Sequence, residues 1–347
     1  MLDVQTLTDG GQTADEVAAR LASFIAAAKQ RLDVAIYDFA LQPATAAPIV
    51  AAFRDAVGRG VRIRLAYNGD FGGAVPVPPP PGTDGAFVAA LGVPARAIPG
   101  IPDLMHHKFA VRDGESVWTG SMNWTDDSWT REENVIVLAE SPPLASAFER
   151  DFEELWSRRQ VVGTGEFDPD WITVDGVAFR AWFSPGRGRA LAHRIATVIG
   201  QAKRRLRVAS PVITAGPILG TLAEVASAHE ADLGGVFDAT QMEEVRRQWT
   251  DDPHASWKIP VFRTLISDAP FSGKITTPYG PGTVHDYMHA KVTVADDTVF
   301  LGSYNLSQSG TKNAENVLEA KDAELADRMA AFIDRLRARY PAAFWKA

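Results

Sequence analysis

The stretch that decides the fold occurs twice in the chain. Residues 105–113 read MHHKFAVRD and residues 288–296 read MHAKVTVAD, so both copies carry the pattern H-x-K-x4-D. Each copy leads through a turn and an apolar strand to a small polar tetrapeptide, GSMN at 120–123 and GSYN at 302–305. Shared features in the same order indicate an internal duplication rather than two accidental matches.

The duplication extends well beyond the motif. Both tetrapeptides are followed by the pair Glu-Asn and an apolar run, at 133–134 and 315–316. Upstream of the motifs, AKQRLDVA at 28–35 matches AKRRLRVA at 202–209. The chain is therefore built from two long units.

Helical patterns alternate with nearly continuous apolar strands in each unit. A capping box at Thr13 to Glu16 predicts a first helix that runs to about Lys29. Strands that are apolar throughout are typical of a sheet covered by helices on both faces. We expect an α/β protein with two tandem sandwich halves related by a pseudo-twofold axis. The predicted boundaries are 1–160 for the N-terminal half, 161–176 for a linker and 177–347 for the C-terminal half.

The bulk composition is that of an ordinary globular protein. The chain has 347 residues, of which 46% are apolar and 22% charged, and it contains no cysteine. A cysteine nucleophile, thiolate metal ligands and disulfides are thereby excluded. No signal peptide pattern and no membrane-spanning run is seen, which predicts a cytoplasmic protein. A secreted form from which the leader has been trimmed stays open. We also expect a monomer. The net charge of −8 argues against a general nucleic-acid coat.

The motif itself carries phosphate chemistry. In a strand, residues two apart point to the same face, so His106 and Lys108 form one pair and His289 and Lys291 another. If the two strands meet across the pseudo-twofold axis, two imidazoles and two ammonium groups surround one point. One imidazole attacks phosphorus, the other protonates the leaving oxygen, and the ammonium groups stabilise the non-bridging oxygens. The pattern predicts two half-sites of one phosphodiester-cleaving centre.

With H-x-K-x4-D and G-S-x-N both present twice, the sequence resembles the phospholipase D superfamily over nearly its whole length. The Glu-Asn-Val followers are most similar to the branch of small bacterial endonucleases and the mitochondrial cardiolipin hydrolase. The resemblance implies a covalent phosphohistidine, with His106 as nucleophile and His289 as general acid, or the reverse. It implies no cofactor and no metal.

The resemblance also implies roles for the other repeated residues. The side chains expected to bind phosphate oxygens are Lys108, Lys291, Asn123 and Asn305. Those expected to support the histidines are Ser121, Ser303, Glu133 and Glu315. Asp113 and Asp296 match the signature and are expected to be structural rather than reactive. The spacing from Asp296 to Gly302 is one residue shorter than that from Asp113 to Gly120, which predicts a tighter turn in the second copy.

Some residues near the motifs permit other interpretations. Histidines flank both motifs, but their spacing is not that of a metal site, and the adjacent lysines would repel a cation. Four tryptophans are candidates for a pocket wall on which a base could stack: Trp124, Trp129, Trp249 and Trp257. The connection from Ala269 to Gly282 is either a gate over the site or an ordinary long loop.

The sequence therefore predicts an enzyme that hydrolyses phosphodiesters or transfers a phosphatidyl group, with a phospholipid headgroup as the favoured substrate. An endonuclease acting on DNA or RNA is the alternative, and a phosphate-binding module without turnover is a third possibility. The expected partner is the substrate itself, with transient contact to a membrane surface and no obligate protein partner.

Overall fold

The computed structural model describes residues 1–69, 82–278 and 283–343. The proline-rich run 76–82, which the sequence assigns to a surface loop, lies outside these residues except for Gly82. Residues 280–282 of the suggested gate also lie outside the described residues. No helix in the described ranges has the length and apolarity needed to cross a membrane.

Each half alternates strands and helices. The elements of the first half are β1 (Leu2–Leu7), α1 (Ala14–Ala26), β2 (Arg31–Ile36), β3 (Phe39–Ala40), α2 (Pro43–Gly58), β4 (Arg62–Asn68), α3 (Gly85–Ala90), β5 (Ala95–Ile98), β6 (Lys108–Arg112), β7 (Ser116–Gly120), β8 (Trp124–Thr125), α4 (Asp126–Thr130), β9 (Asn134–Glu140) and α5 (Pro142–Arg158). Those of the second half are β10 (Ile172–Val174), β11 (Val177–Ser184), α6 (Gly188–Gln201), β12 (Arg205–Ser210), α7 (Gly216–Ala228), β13 (Asp232–Asp238), α8 (Ala239–Asp251), α9 (Lys258–Asp268), β14 (Phe271–Lys274), β15 (Val292–Ala295), β16 (Thr298–Gly302), β17 (Glu315–Lys321) and α10 (Ala323–Arg339).

The two large sheets have the same strand order. The first runs β1-β9-β7-β6-β2-β4-β5, and the second runs β10-β11-β17-β16-β15-β12-β13-β14. Apart from β10, every strand of the second sheet takes the place of one strand of the first. The motif strands β6 and β15 are central in their sheets. The predicted fold of two tandem α/β halves is confirmed.

Strand β10 lies inside the segment that the sequence assigned to the linker. It pairs with β11 in a hairpin whose two loop residues, Asp175 and Gly176, have φ values of 52° and 86°. Positive φ at both positions is the geometry of the type I′ turn that Asp-Gly favours. The second sheet therefore begins at Ile172, earlier than the predicted start of the C-terminal half.

The first helix begins at the predicted capping box but ends sooner than expected. The Thr13 hydroxyl accepts the Glu16 N–H at 3.2 Å, and the Glu16 carboxylate accepts the Thr13 N–H at 2.8 Å. Helix α1 stops at Ala26 rather than near Lys29. The backbone N–H of Lys29 donates to the Asp113 carboxylate instead of to a carbonyl of the helix.

Three apolar clusters hold the layers together. The central cluster combines β6 and β15 with the inward faces of α5 and α10, and it draws residues from both halves. An outer cluster packs α1 and α2 on the first sheet, and another packs α6, α7 and α9 on the second. Because the central cluster is continuous across the two halves, the ends of β6 and β15 are held at fixed positions relative to each other.

Candidate active site

Both motif histidines line one cavity between the halves. His106 and His289 come just before the central strands β6 and β15, and they share a cavity of about 240 Å³ with Asn123 and Asn305. The two copies of the motif are thus brought together, as the sequence predicts. Residues that are far apart in the chain therefore line one space.

Each imidazole is held by a side chain from the opposite half. His106 Nδ1 lies 2.8 Å from Glu315 Oε2, which begins strand β17 of the second half. His289 Nδ1 lies 3.0 Å from Asn134 Oδ1, which begins strand β9 of the first half. Glu132 Oε2 is also 3.3 Å from His289 Nδ1. The two half-sites are therefore completed only by each other.

These contacts determine which ring nitrogen can react. Asn134 Nδ2 donates to the Ser128 carbonyl at 2.9 Å, which directs Asn134 Oδ1 toward His289. An amide oxygen only accepts, so His289 carries its proton on Nδ1. An ionised Glu315 carboxylate also only accepts, so with this partner His106 likewise carries its proton on Nδ1. In both rings Nδ1 contacts a side chain of the opposite half, and His106 also bonds to the Ser303 backbone.

The two lysines put positive charge close to both imidazoles. Lys108 Nζ donates to the His106 carbonyl at 2.9 Å, and Lys291 Nζ donates to the His289 carbonyl at 2.7 Å. Burial, followed by the two ammonium charges, lowers the pKa of His106 well below its usual value. The same causes lower the pKa of His289. In the free protein both imidazoles are neutral near pH 7, as a nucleophile requires.

Carboxyl groups balance these charges. Burial raises the pKa of Glu315 and of Glu132 to about 7, against the lowering effect of nearby ammonium groups. Burial also raises the pKa of Asp38 to about 7, with Lys108 as the opposing charge. Asp38 and Glu132 both line the cavity, and neither was predicted. Asp38 follows the end of strand β2 closely, and a polar residue after an apolar strand is the one signal that could have identified it.

The asparagines of the tetrapeptides, Asn123 and Asn305, line the cavity. Asn123 is fixed by its backbone, which accepts from Trp129 Nε1 at 2.9 Å and donates to Ser128 Oγ at 3.1 Å. Its side-chain amide donates to Asp38 Oδ2 at 3.3 Å. The pocket-wall hypothesis for Trp124 and Trp129 is wrong: both rings are fully buried in the core, and Trp129 acts by holding Asn123.

The serines of the tetrapeptides lie beneath the histidine partners. Ser121 Oγ donates to Asn134 Oδ1 at 2.7 Å and accepts the Val135 N–H. Ser303 Oγ accepts the Asn316 N–H at 3.0 Å, and its hydrogen bond to Glu315 lowers the pKa of that carboxyl against the effect of burial. Both serines therefore orient the group that holds a histidine.

Glu133 does not support a histidine, which corrects the sequence-based assignment. Its carboxylate faces Lys274 Nζ at 3.1 Å and the Tyr340 hydroxyl, and so ties the first half to the second. The cause is a difference in register. Gly120 pairs with Ile136, whereas Gly302 pairs with Val317. The counterpart of Glu315 is therefore Asn134, and Glu132 supplies the carboxylate on this side.

Asp113 and Asp296 lie at hairpin turns away from the cavity. Asp113 accepts the backbone N–H groups of Lys29, Gln30 and Arg31 at 2.7–2.9 Å. Asp296 does the same for residues 203–205 at 2.8–3.1 Å. The hairpin at Asp296 has two loop residues and that at Asp113 has three, so the second turn is tighter, as expected. Both aspartates fasten a helix-to-strand connection to the motif hairpin.

His107 takes part in a buried network behind the site. Its Nε2 lies 2.8 Å from Asp151 of α5, and its Nδ1 lies 3.3 Å from Asn316 Nδ2. Asn316 also accepts from Thr119 Oγ1 at 2.7 Å. His107 and Asp151 are fully buried. The network joins the first half to the residue that follows Glu315.

Comparison with known proteins places the chain in a family. A family model described as cardiolipin synthase, PLD-like domain, matches residues 21–156 and again residues 195–337. The two matches cover most of the chain and correspond to its two halves. The chain therefore belongs to the phospholipase D superfamily, whose members are phosphodiester-cleaving enzymes.

Individual relatives are similar over part of their length. The mitochondrial cardiolipin hydrolase of Xenopus laevis is 29% identical over 155 residues, which are 45% of this chain and 64% of that protein. The mitochondrial cardiolipin hydrolase of Homo sapiens is 26% identical over 140 residues, 40% of this chain and 51% of that protein. The chain thus spans less than two-thirds of these relatives.

A solved structure shares the fold of the whole chain. The phosphatidylserine synthase of Haemophilus influenzae Rd KW20 superposes with a TM-score of 0.66, over 99% of this chain and 87% of that one. The identity is 13%, so this likeness establishes the fold alone.

Proposed function

We propose that this protein is a phosphodiesterase of phospholipase D type. In this proposal it cleaves the headgroup ester of a phospholipid through a covalent phosphohistidine on His106. The observation that carries the proposal is the reciprocal support of the two imidazoles, His106 by Glu315 and His289 by Asn134 and Glu132. A site that merely held phosphate would need the positive charges but not two neutral, oriented imidazoles.

The first step transfers the phosphoryl centre to the enzyme. His106 Nε2 attacks phosphorus, the bond from phosphorus to the leaving oxygen breaks, and His289 Nε2 gives its proton to that oxygen. His289 first gains this proton when the anionic substrate enters, because a nearby negative charge favours the imidazolium. Glu132 and Asn134 accept from its Nδ1 and stabilise that form.

The second step releases the product. His289, now neutral, removes a proton from water or an acceptor alcohol, the oxygen attacks phosphorus, and the bond to His106 Nε2 breaks. Lys108, Lys291, Asn123 and Asn305 stabilise the non-bridging oxygens in both steps. His289 therefore ends protonated and His106 ends free, as they were before the first step, and the cycle closes without a net change of protonation.

The nucleophile is assigned to His106 because of its carboxylate partner. An imidazole that becomes phosphorylated carries positive charge, and a buried carboxylate at 2.8 Å stabilises that charge more than a carboxamide does. At His289 the corresponding place is occupied by Asn134, and the carboxylate of Glu132 lies further from Nδ1, at 3.3 Å. The unequal partners distinguish two histidines that the motifs alone leave equivalent.

The substrate class is inferred from the walls of the cavity. They carry the carboxyl groups Asp38 and Glu132 close to the reacting histidines. A nucleic acid presents a row of phosphates and is bound by basic grooves with stacking rings. A phospholipid brings a single phosphodiester, and its headgroup hydroxyl or ammonium can bind a carboxylate. The relatives named cardiolipin hydrolase agree with a lipid substrate.

The test is turnover of bis(p-nitrophenyl) phosphate with EDTA present. His106→Ala and His289→Ala should each abolish turnover, and His106→Ala should also prevent acid-labile labelling of the protein by a phosphorus-labelled substrate. His193→Ala, at an exposed position on α6, is the matched control and should match the parent protein. Substantial turnover by either active-site variant would refute the shared site.

A parallel assay decides the substrate. Phosphatidylglycerol vesicles and single-stranded DNA are compared across a salt series, since nucleic-acid binding weakens steeply with salt. Lipid cleavage with little DNA cleavage supports the proposal. Efficient, salt-sensitive DNA cleavage with inert vesicles would replace it by an endonuclease.

A further inference from the structure

A second, larger depression adjoins the catalytic cavity on the side of the second half. It has a volume of about 640 Å³, which is within the range of small-molecule sites. One wall is helix α8, and the opposite wall is the segment that follows β14. We call it the α8 groove; its lining residues include Val212, Ala239, Gln241, Val245, Ile275 and Pro278.

The α8 groove borders the catalytic cavity. Gln241 lines both spaces, and the consecutive residues Pro211 and Val212 line the cavity and the groove respectively. Asp238 fixes this junction: its carboxylate caps α8 at the Gln241 N–H and accepts the Met288 N–H next to His289. A molecule bound at the histidines would enter the groove past Gln241.

The walls of the groove are held in place by hydrogen bonds. Thr240 Oγ1 donates to the Thr276 carbonyl and accepts the Thr276 N–H, both at 2.9 Å. Thr276 Oγ1 also donates to Asp238 at 2.8 Å. Residues 275–278 are thus fastened to the first turn of α8. This part of the connection that the sequence left as a gate or a loop is instead a fixed wall.

The chemistry of the groove suits an uncharged, apolar occupant. Its charged residues, Glu243, Glu244 and Arg247, pair with one another along α8 at 3.6–3.7 Å. Ile275 is 76% exposed at the rim, an unusual position for a large apolar side chain.

The two halves differ at the position that leads into the groove. Strands β2 and β12 correspond residue by residue, so the counterpart of Val212 is Asp38. The first half places a carboxyl group beside the catalytic Asn123, and the second half places an aliphatic side chain at the groove. A substrate with one polar and one apolar end would be bound in a single direction.

We propose that the α8 groove binds an acyl chain of the lipid whose phosphodiester lies between His106 and His289. The inference rests on the proposed function and deepens it, because it names the part of the substrate that determines specificity. A methylene group buried in such a groove should raise kcat/KM by about fourfold. The increase should stop once the chain is longer than the groove.

The test uses alkyl p-nitrophenyl phosphates with methyl to octyl chains, below the concentration at which they aggregate. The leaving group is constant, so the slope of log(kcat/KM) against chain length reports binding of the chain. The parent protein should show the steep slope. Ile275→Asp and Val245→Asp should flatten it, whatever their absolute activity. Val162→Asp, at a residue 54% exposed and outside the groove lining, should keep the parent slope.

Each outcome has a distinct meaning. A flat slope in the parent protein, or an unchanged slope in both groove variants, overturns the acyl-chain site while leaving the phosphodiesterase intact. No turnover of any member of the series overturns the proposed function itself. If Val245→Asp fails to fold, Ile275→Asp at its exposed rim position decides the question alone.

Discussion

Replacing Glu315 by glutamine tests the assignment of the nucleophile most directly. Glutamine has nearly the same shape, so Ser303 can still bond to it and the packing of strand β17 is kept. The change removes only the negative charge at 2.8 Å from His106 Nδ1. That charge is needed most when His106 becomes phosphorylated and positive.

The size of the effect follows from the nature of the bond. A hydrogen bond to a charged partner contributes about 1.5–3 kcal/mol. Each 1.36 kcal/mol of lost transition-state stabilisation slows a reaction tenfold. Glu315→Gln should therefore slow formation of the phosphoenzyme by about 10- to 150-fold. Because Nδ1 keeps an acceptor, some activity should remain, unlike in His106→Ala.

The comparison variant is Glu132→Gln, which removes the carboxylate near His289. A general acid matters little when the leaving group is p-nitrophenol and much when it is an alkyl alcohol. The Glu132→Gln defect should therefore grow with the basicity of the leaving group. The slowing caused by Glu315→Gln should keep its full size when p-nitrophenol is the leaving group. Rapid-quench measurement gives the rate at which the first p-nitrophenol is released.

Two results would refute this reasoning. One is a Glu315→Gln variant whose first release of p-nitrophenol stays within twofold of the parent rate. The other is a pattern of leaving-group dependence opposite to that expected, with Glu315→Gln sensitive and Glu132→Gln insensitive. The second result would make His289 the nucleophile and keep the shared site.

Further predictions concern stability and pH. Asp113→Asn should lower the free energy of unfolding by about 1.5–3 kcal/mol at pH 7, because a carboxylate that accepts three backbone N–H groups becomes neutral. Burial raises the pKa of Asp113, but these three donors lower it, and the net shift is downward. The difference in stability between the variant and the parent should therefore vanish as the pH falls through that pKa. Denaturant titration at several pH values measures this difference. His107→Ala or Asp151→Phe alone should lower the free energy of unfolding by about 3–5 kcal/mol, because each leaves a buried partner unpaired. The double variant should recover much of this loss, and a double-mutant thermodynamic cycle tests this. Burial lowers the pKa of Lys108 to about 8 and the pKa of Lys291 well below its usual value, so kcat/KM should decline at alkaline pH as either ammonium loses its proton. Replacing both lysines by arginine should move this alkaline limb upward, and an unmoved limb would assign it to another group.

The fold and the central residues follow from the sequence because they rest on local repetition. The H-x-K spacing, the capping box at Thr13 and the repeated strand patterns depend on residues close together in the chain. The duplication then requires the same strand order in each half. Asp175 and Gly176 were available to predict the β10 hairpin, but their position between the halves favoured a linker.

The side chain that contacts His289 Nδ1 could not be predicted from local repetition. Copying the second half onto the first aligns Glu133 with Glu315, since both precede asparagine. The sheet instead pairs Gly120 with Ile136, one position further along. Pairing register depends on contacts across the sheet.

The two half-sites share a motif but differ where each contacts the other half. Glu315 corresponds to Asn134 in the other half, and Asp38 corresponds to Val212. His107 corresponds to Ala290 in the motif, and Asp151, counted from the caps of α5 and α10, corresponds to Phe332. In a symmetric pair of half-sites each histidine would be equally suited to either role. Once one chain holds both copies, each position can change alone, so the proposed division into nucleophile and acid rests on the partners and not on the motif.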